Sequence, residues 1–253
     1  MSKPMLALLV VAGLVGPLGA QDARQIVAEA QRRTEADSQH YEGTLRVIDS
    51  KGKVSDKRWT YDRVGSHGAS KAVLRFTEPA EVKGVALLIV NHPDRSADQW
   101  MWTPAIQRER RIALQDRSTR FFGTDFSFED LEERDVDQFA YRLLGDETVD
   151  GAACWRIESR PTGRKSSQYT RSVLWIRKDD YAFERVENYV DDQLVRRLNY
   201  DRIEEVQGIW TGRLMEMTDL RRNSRTVLTL DKLQYDVPMR DEDFTVQALR
   251  RER

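Results

Sequence analysis

From residue 38 onward the chain is written with a period of two. Tyr41, Leu45 and Val47 alternate with Glu42, Thr44 and Arg46, and Lys51-Gly52-Lys53 turns the chain into a second alternating run carrying Trp59 and Tyr61. Side chains of a strand point to opposite faces in turn, so this alternation predicts half-buried strands. Further strands are expected near 70–77, 85–91, 98–103, 107–113, 139–147, 152–160, 168–177, 182–190, 193–206, 209–219 and 224–235, bounded by Gly, Pro, Asn or Asp pairs. The hairpin at Asp191-Asp192, between VENYV and LVRRLNY, is the plainest. Helical periodicity is rare. Residues 22–37 carry a narrow apolar stripe of Ala23, Ile26, Val27 and Ala30, which predicts an amphipathic helix that must lie against something. With no linker and no internal repeat, the strands are expected to form one large antiparallel sheet, which has to curl. A closed barrel, a sandwich, and a curved half-barrel with helices over its concave side all satisfy the pattern.

Residues 100–131, WMWTPAIQRERRIALQDRSTRFFGTDFSFEDL, break the alternation. Phe121, Phe122, Phe126 and Phe128 crowd around Gly123, and Ser127 followed by Asp130 reads as a capping-box-like helix start. The expectation is a short, apolar, hinged element that plugs a concavity or forms part of its wall.

The N-terminus changes the setting. Lys3 precedes an apolar run from Met5 to Leu18 that is too short to span a bilayer and ends in small residues, the pattern of a signal peptide over residues 1–20 cleaved near Ala20. That leaves one domain over residues 21–253. The 41 basic and 42 acidic residues of the full chain are interleaved throughout, which argues against nucleic acid as a partner. Cys154 is the single cysteine, so no internal disulfide forms; it is expected to be a small buried residue of a strand.

The order of these elements resembles the outer-membrane lipoprotein-sorting proteins of the LolA-like periplasmic carrier superfamily, in its larger uncharacterised branch. The resemblance rests on the N-terminal helix, Trp100-Met101-Trp102-Thr103-Pro104, Arg110-Arg111-Ile112, the FFGTDFSFEDL block at 121–131, Asp150-Gly151 leading to Cys154-Trp155, and Asp243-Phe244-Thr245. Thr124 and Phe128 stand where that branch usually has Ser and Tyr. It implies a mainly β fold: an unclosed antiparallel β-barrel with helices over its apolar concave face, as in LolA and LolB. It further implies a monomeric periplasmic carrier that shuttles the acyl chains of a lipoprotein or lipid toward the outer membrane without cofactor or catalysis.

For such a carrier the expected lining is Trp59, Tyr61, Leu74, Phe76, Trp100 and Trp102, with Phe121, Phe122, Phe126 and Phe128 as lid; the alternative is that these are core residues of a filled sandwich. Arg108, Arg110 and Arg111 are candidates for a basic clamp at the cavity mouth, against the alternative of a solvated face paired to Glu129, Asp130 or Glu132. The parts of an enzyme are missing: His40, His67 and His92 lie far apart without metal-ligand spacing and are expected on the surface, and there is no nucleophile elbow or phosphate loop. A reading from another class is a periplasmic docking module of an RND-type exporter, and an RND-type or ABC-type inner-membrane transporter is the implied partner. An open apolar cavity favours the carrier; a filled interior with an exposed aromatic patch favours the docking module.

Overall fold

The computed structural model describes residues 18–251; the apolar run read as a signal peptide falls almost wholly outside them, and the expected junction after Ala20 lies in the first residues of a helix. That helix, α1, spans Leu18–Arg32 rather than 22–37. The strands are β1 (Ser38–Ile48), β2 (Val54–Val64), β3 (Lys71–Glu78), β4 (Ala86–Val90), β5 (Asp98–Thr103), β6 (Arg108–Arg111) and β7 (Phe139–Val149). After them come β8 (Ala152–Pro161), β9 (Arg171–Arg177), β10 (Phe183–Val190), β11 (Gln193–Val206), β12 (Ile209–Asp219) and β13 (Ser224–Tyr235).

All thirteen join one antiparallel sheet in the order β6-β5-β4-β3-β2-β1-β13-β12-β11-β10-β9-β8-β7. Each strand pairs with its chain neighbour, except that β1 pairs with β13 and β6 does not pair with β7. The two free edges are therefore consecutive in the chain, and residues 112–138 must travel from one to the other. A flat sheet of this width would hold its edges roughly 55–60 Å apart at about 4.8 Å per strand. Instead Gln138, just before β7, donates from Nε2 to the carbonyls of His92 (2.6 Å) and Arg95 (2.9 Å) in the β4–β5 turn. Ser166 N donates to Ser96 Oγ at 2.9 Å beside it. The sheet is curled until its edges nearly meet, and side chains rather than strand pairing stitch the seam.

The inner face divides in two. Over β7–β10 it is covered by α1, whose buried Ala23, Val27 and Ala30 pack on Tyr141, Ile157, Leu174, Ile176 and Val186. Over β1–β5 it is covered by the crossing segment, whose Phe121, Phe126 and Phe128 pack among Leu45, Trp59, Leu74, Phe76 and Leu87. Gly43 makes this packing possible: a Cβ there would lie 2.1 Å from Trp59 Nε1 on the neighbouring strand. The outer face of β3–β5 is apolar too, and the C-terminal segment lies on it, with Phe244 and Leu249 against Ala86, Leu88, Trp100 and Trp102. Burial on both faces explains why β4 reads ALLIV without alternation.

Candidate functional site

The crossing segment owes its shape to a tight turn. Phe122 and Gly123 have φ of 46° and 77°, and Thr124 N donates to Phe121 O at 3.0 Å, so both central residues are left-handed as in a type I′ turn. A short hairpin follows, with an Arg120–Ser127 bridge and Phe121 N on Phe126 O at 2.8 Å. The expected capping box is present: Ser127 N and Oγ both donate to Asp130 Oδ2 at 2.7 Å, and Asp130 N returns to Ser127 Oγ at 3.3 Å. It opens only a single 3-10 turn, Glu129–Leu131.

The element is stapled rather than loosely hinged. Asp125, fully buried, accepts from Thr226 Oγ1 at 2.8 Å, Ser224 Oγ at 2.5 Å and Arg120 Nη2 at 2.9 Å. Asp130 accepts from Arg196 Nη1 at 2.7 Å and from the Tyr169 hydroxyl at 2.8 Å. Glu132 holds Arg117 at 2.9 Å and Lys165, while Glu133 holds Arg63 at 2.9 Å. Glu129 accepts from Ser167 Oγ and from Gln168 N at 2.8 Å without an ion pair among the described residues, and burial raises its pKa above the usual carboxylate value. These acids therefore tie one short segment to β2, β11, β13 and the β8–β9 connection.

Between the segment and the far side of the sheet the interior is not filled. A cavity of about 300 Å³ is walled by Tyr41, Tyr61, Phe126, Leu198, Tyr200, Met215, Leu228 and Leu230. Trp210, 39% exposed, lies at its rim. It adjoins a second cavity of about 260 Å³ across the shared Phe183, Leu198, Tyr200 and Asp130. The second is more polar, with Glu129, Lys165, Ser172 and Asn188 in its wall. Together they form a space that is apolar at one end and hydrogen-bonding at the other.

Of the ten residues expected to line such a space, Tyr61 and Phe126 do. Trp59, Leu74, Phe76, Phe121 and Phe128 are on the inner face but packed against one another, with Phe121 centred 5.3 Å from both Phe76 and Phe128. Phe122 is half-buried at the edge of that stack, 5.5 Å from Phe76. Trp100 and Trp102 are corrected outright. In β5, Gln99 and Met101 face inward, so strand alternation turns both tryptophans to the outer face, under Phe244 and Leu249. The basic clamp is also corrected: β6 is a four-residue edge strand, Arg108, Arg110 and Arg111 are exposed, and none lines either cavity. Arg111 bonds Asp98 instead, and the arginine of this stretch that meets a named acid is Arg117, on Glu132.

The walls on β11–β13 were missed, although their alternation (Leu198, Tyr200; Met215, Met217; Leu228, Leu230) marks an apolar face as plainly as β1 and β2 do. The histidines are half-buried rather than on the open surface: His40 bonds Asp62 at 2.7 Å, His67 the carbonyl of Gln31 at 2.9 Å, and His92 Asp98 at 3.0 Å. Among the described residues no three His, Cys, Asp or Glu side chains are placed to hold a metal ion. Cys154 is buried on β8, and burial pushes its thiol up to about 11, which leaves it unreactive at neutral pH.

An unclosed antiparallel barrel whose inner face is partly plugged and partly hollow is a fold of the LolA type. A family model described as "Uncharacterized protein" matches residues 68–251, and the chain belongs to that family. A DUF1329 family protein from Desulfovibrio piger has 29% identity over 91% of this chain and 99% of its own, with a TM-score of 0.87. A protein from Vibrio parahaemolyticus, described as an outer-membrane lipoprotein-sorting protein domain, has 25% identity over 92% of this chain and 100% of its own, with a TM-score of 0.87. A LolA superfamily protein from Nitrosomonas europaea shares the fold, with a TM-score of 0.72 at 20% identity over 92% of this chain and 100% of its own. No curated protein matched the sequence.

Proposed function

We propose that the protein is a periplasmic carrier that holds the acyl chains of a lipoprotein or lipid in the cavity beneath β11–β13 and conveys them toward the outer membrane without catalysis. The observation that carries this reading is the apolar cavity walled by Leu198, Tyr200, Met215, Leu228 and Leu230. Each methylene moved from water into such a space is worth about 0.8 kcal/mol, so an apolar lining is sufficient for binding and no reactive group is needed. The likeness to a domain described as lipoprotein-sorting supports the cargo class, and the polar second cavity offers hydrogen bonds to whatever group joins the chains. The docking-module alternative expects a filled interior and a large aromatic surface, whereas among the described large hydrophobics the exposed aromatic is Trp210 alone.

Titration with a solvatochromic fatty acid tests the reading. Saturable binding, displaced by phospholipid and weakened at least tenfold by Leu198→Asp in a folded variant, is expected, since an unpaired carboxylate in the wall carries a desolvation cost of more than 1.4 kcal/mol. Absence of saturable binding to the folded wild-type protein would refute it.

A further inference from the structure

We propose that one end of the curled sheet docks on an anionic phospholipid surface. The strands place four consecutive hairpin turns there: β1–β2 (49–53), β3–β4 (79–85), β5–β6 (104–107) and β12–β13 (220–223). Antiparallel register puts them side by side along one rim, because Ile48 pairs with both Val54 and Arg225. Three of the five large hydrophobic side chains most exposed among the described residues sit on it: Val54 at 50%, Ile106 at 68% and Leu220 at 41%. Ile106 is held outward by the Pro104–Ile106 turn, which ends in a left-handed Gln107 at φ 47°.

The charges around them are predominantly basic. Lys51, Lys53, Lys83, Arg108 and Arg221 lie on or next to these turns, and none forms a salt bridge among the described residues. Of the acids on the same turns, Asp49 is occupied by Lys51 N and Lys53 N, at 2.8 and 2.9 Å, and Glu81 is left facing outward. At the opposite end the segments 201–206 and 235–237 carry Asp201, Glu204, Glu205 and Asp236 against a single Arg202. These four turns are thus basic, whereas the next turn along the same end, β10–β11, carries the exposed Asp191 and Asp192, so the cationic stretch is local to the β12–β13 to β5–β6 side of the rim in a chain of net charge −1. Apolar tips separated by unpaired cations match a bilayer surface, where a side chain enters the headgroup layer and lysines and arginines meet lipid phosphates. An acidic protein partner would satisfy the charges but leaves the protruding Ile106 and Val54 without a reason. The plug's own turn, with Gly123 exposed, lies at this same end beside Lys57, so membrane contact falls close to the segment that covers the interior.

The proposal does not depend on what fills the cavity. Flotation of the full chain with vesicles of phosphatidylglycerol and phosphatidylcholine, against phosphatidylcholine alone, tests it; every variant carries the same N-terminus, so differences report on the rim. Wild type should float with anionic vesicles in a salt-sensitive manner. Lys51→Glu/Arg108→Glu/Arg221→Glu should lose about tenfold or more in affinity. Ile106→Ser/Leu220→Ser should also lose affinity, with every charge kept, and Arg202→Glu at the opposite end should not. Each variant's melting temperature confirms its fold. Failure of folded wild type to bind anionic vesicles, triple-variant binding equal to wild type, or an equal loss from Arg202→Glu would overturn the proposal.

Discussion

Glu129 lies in the wall of the polar cavity with a neutral hydroxyl and a backbone amide as its hydrogen-bond donors. Burial raises its pKa, with Lys165 offsetting only part of the effect. The fold therefore favours the protonated acid. Between the usual value of 4.5 and the raised one, the native state keeps a proton that the unfolded chain has released, so stability falls as pH rises through that window and then levels. Glu129→Gln removes this loss. Melting curves of the two proteins should lie together near pH 4 and separate toward neutrality with the glutamine variant higher, by about 2–4 °C for each kcal/mol. A separation that does not change with pH would mean that the carboxylate is solvated. Residue-scale reading from sequence was sound where a local pattern carried it, as in the Ser127–Asp130 box. It failed for Trp100 and Trp102, because a tryptophan is equally apolar on either face and only the strand's parity decides which.

At the scale of elements, alternation located every strand to within a few residues for β3–β5 and β7–β13, since one face of each meets the interior. β6 came out shorter than residues 107–113: it ends at Arg111, and Ile112, whose N still donates to Gln99 O at 2.9 Å, turns its side chain into the core while Arg108, Arg110 and Arg111 stay in solvent. The plug was legible as a Phe-rich unit but not its attachment, because its partners Arg196, Thr226 and Arg63 are far away in the sequence. That attachment makes the plug's opening a measurable property. Asp130→Asn keeps the shape and removes the charge facing Arg196, at a cost of about 1.5–3 kcal/mol. Amide exchange of residues 120–133 should accelerate while β1–β3 stay protected, showing a segment that opens by itself. Uniform acceleration throughout the sheet would instead make the plug a fixed part of the core.

For the whole molecule, the curl was foreseeable from strand number, but the meeting of the edges was not. It depends on Gln138 reaching the β4–β5 turn, a contact between residues that sequence spacing does not link. The curl is what creates an interior, and the incomplete filling of that interior is what supports the proposed acyl binding. Photo-crosslinking with a diazirine-bearing fatty acid, followed by peptide mapping, tests this directly. Competable crosslinks should fall on β11 and β12, at Leu198, Tyr200 and Met215, with none on the outer-face residues Trp100, Trp102 and Leu249. Crosslinks confined to that outer face, or labelling that excess phospholipid does not compete away, would contradict an acyl-binding interior.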